Sequence, residues 1–192
     1  VYKRQIYSTS ALTRTKRTPP SRITLCARRT ARAGRHTAII ITMNELKRLY
    51  MLQICDSLFP IGAFTLSNGL ETYVQHGVVD SPETLAAYLA DYLALAPYQE
   101  LGVAALAMQY ASEPENWRRL DQLYTACRAP MEVRQGSAKL CMRLIKAAEQ
   151  IAPVESLQEY RACIADGTCT GQHPIAVGLF AAAHEVERQE AM

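Results

Sequence analysis

The chain has 192 residues, of which 49% are hydrophobic and 7% aromatic, and a formal net charge of +3. This length allows one domain with a real core, and the abundance of Ala and Leu favours packed helices over a sheet. No segment approaches the ~20 consecutive apolar residues of a membrane span, so we expect no membrane partner.

The basic residues are distributed unevenly. Residues 1–42 contain ten Lys and Arg and no Asp or Glu, whereas residues 43–192 contain the other eleven basic residues and all 18 acidic ones. A basic tail of this kind fits a nucleic-acid-binding arm, a targeting peptide, or translated sequence upstream of the native protein. Few aromatic residues stand among its charges to stack on bases. We therefore expect a disordered, non-native tail over 1–42, a true start at Met43, and no nucleic-acid partner.

The six cysteines are scattered, without a close Cys-x-x-Cys pair. This spacing suits a reducing cytosol better than a disulfide framework. We therefore expect a cytoplasmic protein.

After Met43, apolar residues at helical spacing predict a helix that stops before Asp56. A loop over 56–66 follows, and a second helix begins near Ser67 or Asn68. Asn68 with Glu71 fits a capping box, and Ser67 is an equally plausible cap.

Ser81-Pro82 is the clearest helix start in the chain, since Ser81 can cap and Pro82 suits the first helical position. Residues 98–111 are apolar on more than one face, which predicts a central helix. Pro114 begins the next helix, whose predicted inward face is Trp117, Leu120, Leu123 and Tyr124.

Residues 130–148 have the best helical periodicity, and further helices are predicted over 154–165 and from Pro174 onward. No run alternates with period two. The sequence therefore predicts an all-α domain over 43–192, a compact bundle of about seven helices with no β-sheet.

The segment before the second helix reads Phe-Pro-Ile-Gly-Ala-Phe-Thr-Leu-Ser-Asn-Gly-Leu-Glu over 59–71. It resembles the N-terminal signature of the UreF family of urease accessory proteins, Leu-Pro-x-Gly-Gly-Phe-x-x-Ser-x-Gly-Leu-Glu. Ala63 replaces the second glycine of that signature and resists a positive φ, so we expect a slightly different bend. The matching residues are the candidate partner-binding residues: Pro60, Gly62, Phe64, Ser67, Gly69, Leu70 and Glu71.

A second block, residues 171–178, resembles the family's His-Pro-Val-Val-x-Gly element and adds His173, Pro174 and Gly178 to the candidates. Residues 135–140 are loosely similar to a third, Arg- and Gly-containing family helix. The resemblance covers about residues 46–184. Family members carry more helix beyond the position of Met192, so we expect the C-terminus to be truncated.

The resemblance implies a non-enzymatic maturation factor. Such proteins bind a UreD (UreH) accessory protein and the GTPase UreG, and the assembly delivers nickel to apo-urease in a GTP-dependent step. The resemblance also implies a homodimer within the complex. Glu71 has two interpretations: a first-turn acid that favours the helix dipole, or an exposed acid that a basic partner surface contacts.

A metal site is the main alternative. Cys163, Cys169 and His173 have Cys-x5-Cys-x3-His spacing, and thiolate and imidazole suit Ni(II) or Zn(II). The same residues also fit a semi-buried helix cysteine, a free loop cysteine and a helix-capping histidine. The alternative function is a small helical metal-carrying or regulatory protein.

Enzymatic motifs give no support to a third hypothesis, a hydrolase or transferase. The sequence contains no Gly-x4-Gly-Lys-Ser/Thr loop and no Gly-x-Gly-x-x-Gly, and neither His-Glu-x-x-His nor Gly-x-Ser-x-Gly. We therefore predict no catalytic residue and no cofactor.

Overall fold

The computed structural model describes residues 22–25 and 39–192 of the chain. These residues belong to two compact units, Val1–Met43 and Asn44–Met192. In the first unit, β1 (Arg22–Leu25) pairs antiparallel with β2 (Ile39–Thr42). The β-branched Ile and Thr residues of both segments favour an extended backbone. The prediction of no β-sheet applies to residues 43–192, and this short ribbon precedes them.

The remaining described residues form helices and connecting segments, which confirms the predicted all-α fold. After α1 (Met43–Cys55) and α2 (Leu70–Gln75), the longer helices follow in the order α3 (Pro82–Leu95), α4 (Glu100–Gln109), α5 (Pro114–Cys127), α6 (Met131–Ile151), α7 (Glu155–Ala165) and α8 (His173–Ala183). One short turn, α9 (Arg188–Ala191), comes last, and 3-10 helices cover Ala63–Thr65 and Ala96–Tyr98.

The predicted start of α3 is confirmed. The Ser81 hydroxyl accepts a hydrogen bond from the Thr84 amide at 3.3 Å, and the Thr84 hydroxyl accepts one from the Ser81 amide at 3.0 Å. The predicted capping box of α2 is wrong, because Gly69 is its N-cap and no side chain caps it. Asn68 instead donates through Nδ2 to the Tyr92 hydroxyl at 2.8 Å.

Helix α8 is the centre of the core, and α4, α6 and α7 pack against it. Seven of its eleven residues are buried: Pro174, Ile175, Ala176, Gly178, Leu179, Phe180 and Ala181. Helix α4, which the sequence predicted as central, buries three residues, Val103, Ala104 and Ala107. The two helices are in close contact at Gly178, where a Cβ atom would overlap the Ala104 carbonyl oxygen.

The amphipathic faces of α5 and α6 are mostly as predicted. Trp117, Leu120 and Tyr124 are buried, but Leu123 is 60% exposed, so its predicted inward position is wrong. At about 100° per residue, Leu123 lies roughly 90° around the helix from the centre of that buried face. On α6 the buried residues are Ser137, Leu140, Cys141, Leu144, Ile145 and Ala148.

Helix α3 buries none of its residues, although Leu85, Leu89 and Leu93 recur along one stripe. Its aromatic contact with α2 joins the Tyr73 and Tyr88 rings, whose centroids are 5.4 Å apart. Among the described residues, every helix is too short or too polar to span a bilayer.

Candidate functional site

The connector between α1 and α2 (residues 56–69) is anchored by alternate side chains. Its first turn forms because Asp56 Oδ1 accepts the Leu58 amide at 2.8 Å and the Asp56 carbonyl accepts the Phe59 amide at 2.9 Å. Phe59 and Ile61 are then buried at 5% and 3% exposure, whereas Leu58 and Phe64 are 83% and 78% exposed. The buried pair fixes the connector, and the exposed pair is presented to solvent.

Two contacts with α6 fix the course of the connector. Arg143 donates from Nη1 to the Ile61 carbonyl at 3.0 Å. The Leu66 side chain lies over Gly136, where a Cβ atom would be 3.4 Å from Leu66 Cδ1. The connector therefore lies along the α6 face that runs from Gly136 to Arg143.

The glycines of the connector have left-handed backbones, with φ of 80° at Gly62 and 101° at Gly69. Asn68 is also left-handed, with φ of 52°. Ala63 is not among the positive-φ residues and begins a 3-10 turn. An alanine therefore fits this position without backbone strain.

The loop before α8 is held by a buried carboxylate that sequence reasoning missed. Asp121 of α5 is fully buried, and it accepts the Thr170 amide at 2.7 Å and the Gly171 amide at 3.1 Å. It also accepts the Tyr160 hydroxyl at 2.5 Å. Its only sequence signal is its place on the apolar face of α5.

Tyr160 continues this network into the second predicted block. Its hydroxyl accepts the Gln172 amide at 2.7 Å, and the next amide, of His173, donates to the Ser137 hydroxyl at 3.0 Å. Burial raises the pKa of the Tyr160 phenol well above 10, so the group stays protonated and donates to Asp121. The network thereby sets the position of His173 at the start of α8.

The three segments with family resemblance meet around one pocket of about 170 Å³. The connector, α6 and the start of α8 all contribute to its lining, together with the Glu100–Arg128 ion pair, whose N–O distance is 2.8 Å. The lining residues are Ala63, Leu66, Asn68, Glu100, Arg128, Val133, Ser137, Leu140, His173 and Pro174. Residues more than a hundred positions apart are thus brought together.

Three polar atoms of the pocket residues are buried without a hydrogen-bond partner: Asn68 Oδ1, Arg128 Nε and His173 Nε2. Burial lowers the pKa of His173, against a smaller raising effect of Glu100. The imidazole is therefore neutral at neutral pH. With Glu100 and Arg128 paired, the pocket carries no net charge.

Other predicted residues are divided between surface and core. Pro60 and Glu71 are exposed, and Ser67 and Leu70 are half-buried. Pro174 and Gly178 are buried in the core. Glu71 lies in the first turn of α2, where its charge favours the helix dipole.

The proposed metal ligands do not form a common site. Cys163 and Cys169 are neighbours, because the Cys169 amide donates to the Cys163 carbonyl at 2.9 Å. Cys163 Sγ accepts a hydrogen bond from Arg118 Nε at 3.3 Å, and burial raises the pKa of Cys169 to about 12. His173 instead lines the pocket. In the part of the chain that the structure describes, no group of three His, Cys, Asp or Glu side chains could hold a metal ion.

These features define an all-α protein that presents an anchored apolar connector beside a small neutral pocket. The UreF family model matches residues 79–192, more than half of the chain. The chain belongs to the UreF family.

Several curated relatives are similar over most of this chain. Urease accessory protein UreF of Arthrobacter sp. (strain FB24) is 32% identical over 135 residues, which cover 70% of this chain and 58% of the relative. UreF of Paenarthrobacter aurescens (strain TC1) is 30% identical over 151 residues, covering 78% of this chain and 66% of the relative. UreF of Lachnoclostridium phytofermentans is 35% identical over 135 residues, which cover 68% of this chain and 59% of the relative. The chain thus spans less than two thirds of the length of these relatives.

Proposed function

We propose that this protein is a urease accessory protein. It acts as a non-enzymatic scaffold that, with a UreD/UreH-type accessory protein and a UreG-type GTPase, assists GTP-dependent insertion of nickel into apo-urease. Family membership supports this proposal, as do relatives that bear the name urease accessory protein UreF. Action in the cytoplasm and a homodimer within the complex are parts of the same proposal.

The observation that carries the proposal is the exposure of Phe64 and Leu58 on an anchored connector. Large apolar side chains at 78% and 83% exposure cost solvation free energy in the isolated protein. Aromatic residues are enriched where protein interfaces form. Since Phe59, Ile61 and Arg143 already fix the connector, little conformational entropy is lost when a partner covers it.

Copurification tests the scaffold role. The 192-residue chain is coexpressed with UreD- and UreG-type proteins and the apo-urease subunits, and the complex is isolated through a tag on UreD. We expect the chain to be recovered with its partners. If it associates with neither UreD nor UreG, the assignment fails.

A single substitution tests whether the connector is the contact. We expect Phe64→Ser to reduce recovery at least fivefold without changing the thermal midpoint, because the ring is exposed. Leu123→Ser on α5, where the leucine is 60% exposed, is the matched control and should leave recovery unchanged. Equal recovery of both variants and the wild type would exclude the connector as the contact.

The maturation step is measured separately. Apo-urease, UreD, UreG, Ni(II) and GTP are incubated with and without the chain, and urease activity is followed. We expect activation to depend on the chain and on hydrolysable GTP. Full activation in its absence would contradict the maturation role.

A further inference from the structure

Helix α6 carries a basic stripe on the face that the connector follows. Lys139, Arg143 and Lys146 are all exposed. Their spacing of four and three residues puts them on one side of the helix. We call Lys139, Arg143 and Lys146 the basic stripe.

No ion pair of the described residues involves the stripe. Among the described residues, ion pairs form at five other basic positions, Lys47, Arg48, Arg118, Arg128 and Arg161. Glu149, three residues after Lys146 on α6, is already paired with Arg161. Residues 43–192 hold 18 acidic and eleven basic residues, so an unpaired basic stripe stands out against an acidic domain.

The stripe is joined to the exposed apolar residues of the connector. Arg143 donates to the Ile61 carbonyl, and Leu58 and Phe64 are each three residues from Ile61. Three residues of chain span at most about 11 Å, so Leu58 and Phe64 both lie within that distance of Ile61, the residue that Arg143 contacts. Met142, next to Arg143, adds a further apolar side chain that is 37% exposed.

We infer that the basic stripe and the exposed residues Leu58 and Phe64 form one docking surface for an acidic face of a partner protein. The apolar residues provide the buried centre of the contact, and the lysines lie at its edge, where charge steers association. This inference rests on the proposed function, because the partner is taken to be a protein of the urease maturation assembly. Beyond that function, the inference specifies a basic and apolar face on this chain and an acidic face on the partner.

Charge reversal at exposed positions of the stripe tests the inference. Lys139→Glu/Lys146→Glu changes two exposed side chains and leaves the Arg143–Ile61 hydrogen bond in place. Arg119→Glu/Arg188→Glu, at exposed positions on α5 and α9, makes the same charge change elsewhere and is the matched control. Circular dichroism and urea midpoints confirm that both variants are folded.

Association with purified UreD-type and UreG-type proteins is measured by surface plasmon resonance at 0.05 M and 0.5 M NaCl. We expect the stripe variant to associate with one of them at least tenfold more slowly than the wild type at low salt. At high salt the difference should shrink, because the screening length falls from about 14 Å to about 4 Å. The control variant should lose less than twofold.

The outcomes separate the two proposals. If the wild type binds neither partner, the proposed function fails. If it binds, but the stripe and control variants bind equally well at both salt concentrations, the inference is wrong and the proposed function stands. The inference is also overturned if charge reversal changes only the chain's own oligomeric state, or only its retention of a DNA probe, since the occupant is then a second copy or a nucleic acid.

Discussion

At the scale of single residues, Gly62 and Gly69 have similar backbones and different surroundings. A Cβ atom at Gly62 would lie 2.5 Å from Arg143 Nη1, whereas one at Gly69 would meet no atom within 4 Å. Strain from positive φ applies to both positions, but only at Gly62 would an added Cβ atom displace the Arg143 group that donates to the Ile61 carbonyl.

We therefore predict that Gly62→Ala destabilises the protein more than Gly69→Ala. Each should lose about 1–2 kcal/mol from left-handed strain, and Gly62→Ala should lose about 1 kcal/mol more because Arg143 must leave the Ile61 carbonyl. Urea denaturation of both variants, alone and on an Arg143→Ala background, measures the difference. Without the arginine, the two costs should become equal. A difference that persists would mean that the Arg143 contact is not its cause.

Asp121 is the residue on which the second block depends. We predict that Asp121→Ala lowers the free energy of unfolding by about 3–5 kcal/mol, because two amides and the Tyr160 hydroxyl lose a buried acceptor. Asp121→Asn keeps one carbonyl oxygen and should lose less. Urea denaturation gives both values, and equal stability of the wild type and the alanine variant would contradict the assigned role.

The Asp121 network shows which parts of the fold can be predicted from the sequence and which cannot. Helical spacing placed Trp117 and Leu120 on a buried face, and that face includes Asp121. Its partners Tyr160 and Thr170 lie 39 and 49 residues further along the chain, where local patterns carry no information about contact. The blocks around Gly62 and His173 were found from family resemblance, but Arg143 and Glu100 required the packed structure.

At the scale of elements, the α4–α8 crossing depends on the absence of a side chain at Gly178. A Cβ there would also be 2.7 Å from the Ala107 methyl group, and neither helix can move without disturbing the core. This close crossing allows α8 to be buried on nearly all sides. Local sequence signals predicted the helix start at Pro174, but they did not predict how completely α8 is buried.

We predict that Gly178→Ala destabilises the protein by about 1–3 kcal/mol, since overpacking outweighs the gain in helix propensity. Gly136→Ala on α6 is the matched control. The added Cβ atom would make ordinary contact with Leu66. The higher helix propensity of alanine should therefore stabilise the Gly136→Ala variant by up to about 1 kcal/mol. Thermal melts of both variants compare the two sites. Equal shifts in the same direction would contradict a tight crossing at Gly178.

At the scale of the whole molecule, two histidines couple folding to pH. Burial lowers the pKa of both His173 and His184 from the ordinary value of 6.5. The His184 ring packs against the rings of Tyr50 and Phe180, with centroids 4.5 and 4.4 Å away. Both Nε2 atoms are buried without a partner, so the folded state disfavours the protonated rings.

Protonation of these two rings favours the unfolded state. Below about pH 6.5 the unfolded chain binds more protons at these rings than the folded protein does, so stability falls as the pH falls. We predict that urea midpoints drop between pH 7.5 and 5.5, and that His173→Gln/His184→Gln reduces this drop. His76→Gln, at an exposed position after α2, is the control. A wild-type midpoint that stays constant over this interval would contradict the coupling.

The burial of α8 has a consequence for measurement. Its amide hydrogens can reach solvent only when the packing of α4, α6 and α7 around it is lost, so their deuterium uptake should follow global unfolding. Amides of α3, which buries none of its residues, should exchange through local fraying. Mass spectrometry of peptides from these two helices would therefore report, in one sample, the stability of the whole domain and the openness of its periphery.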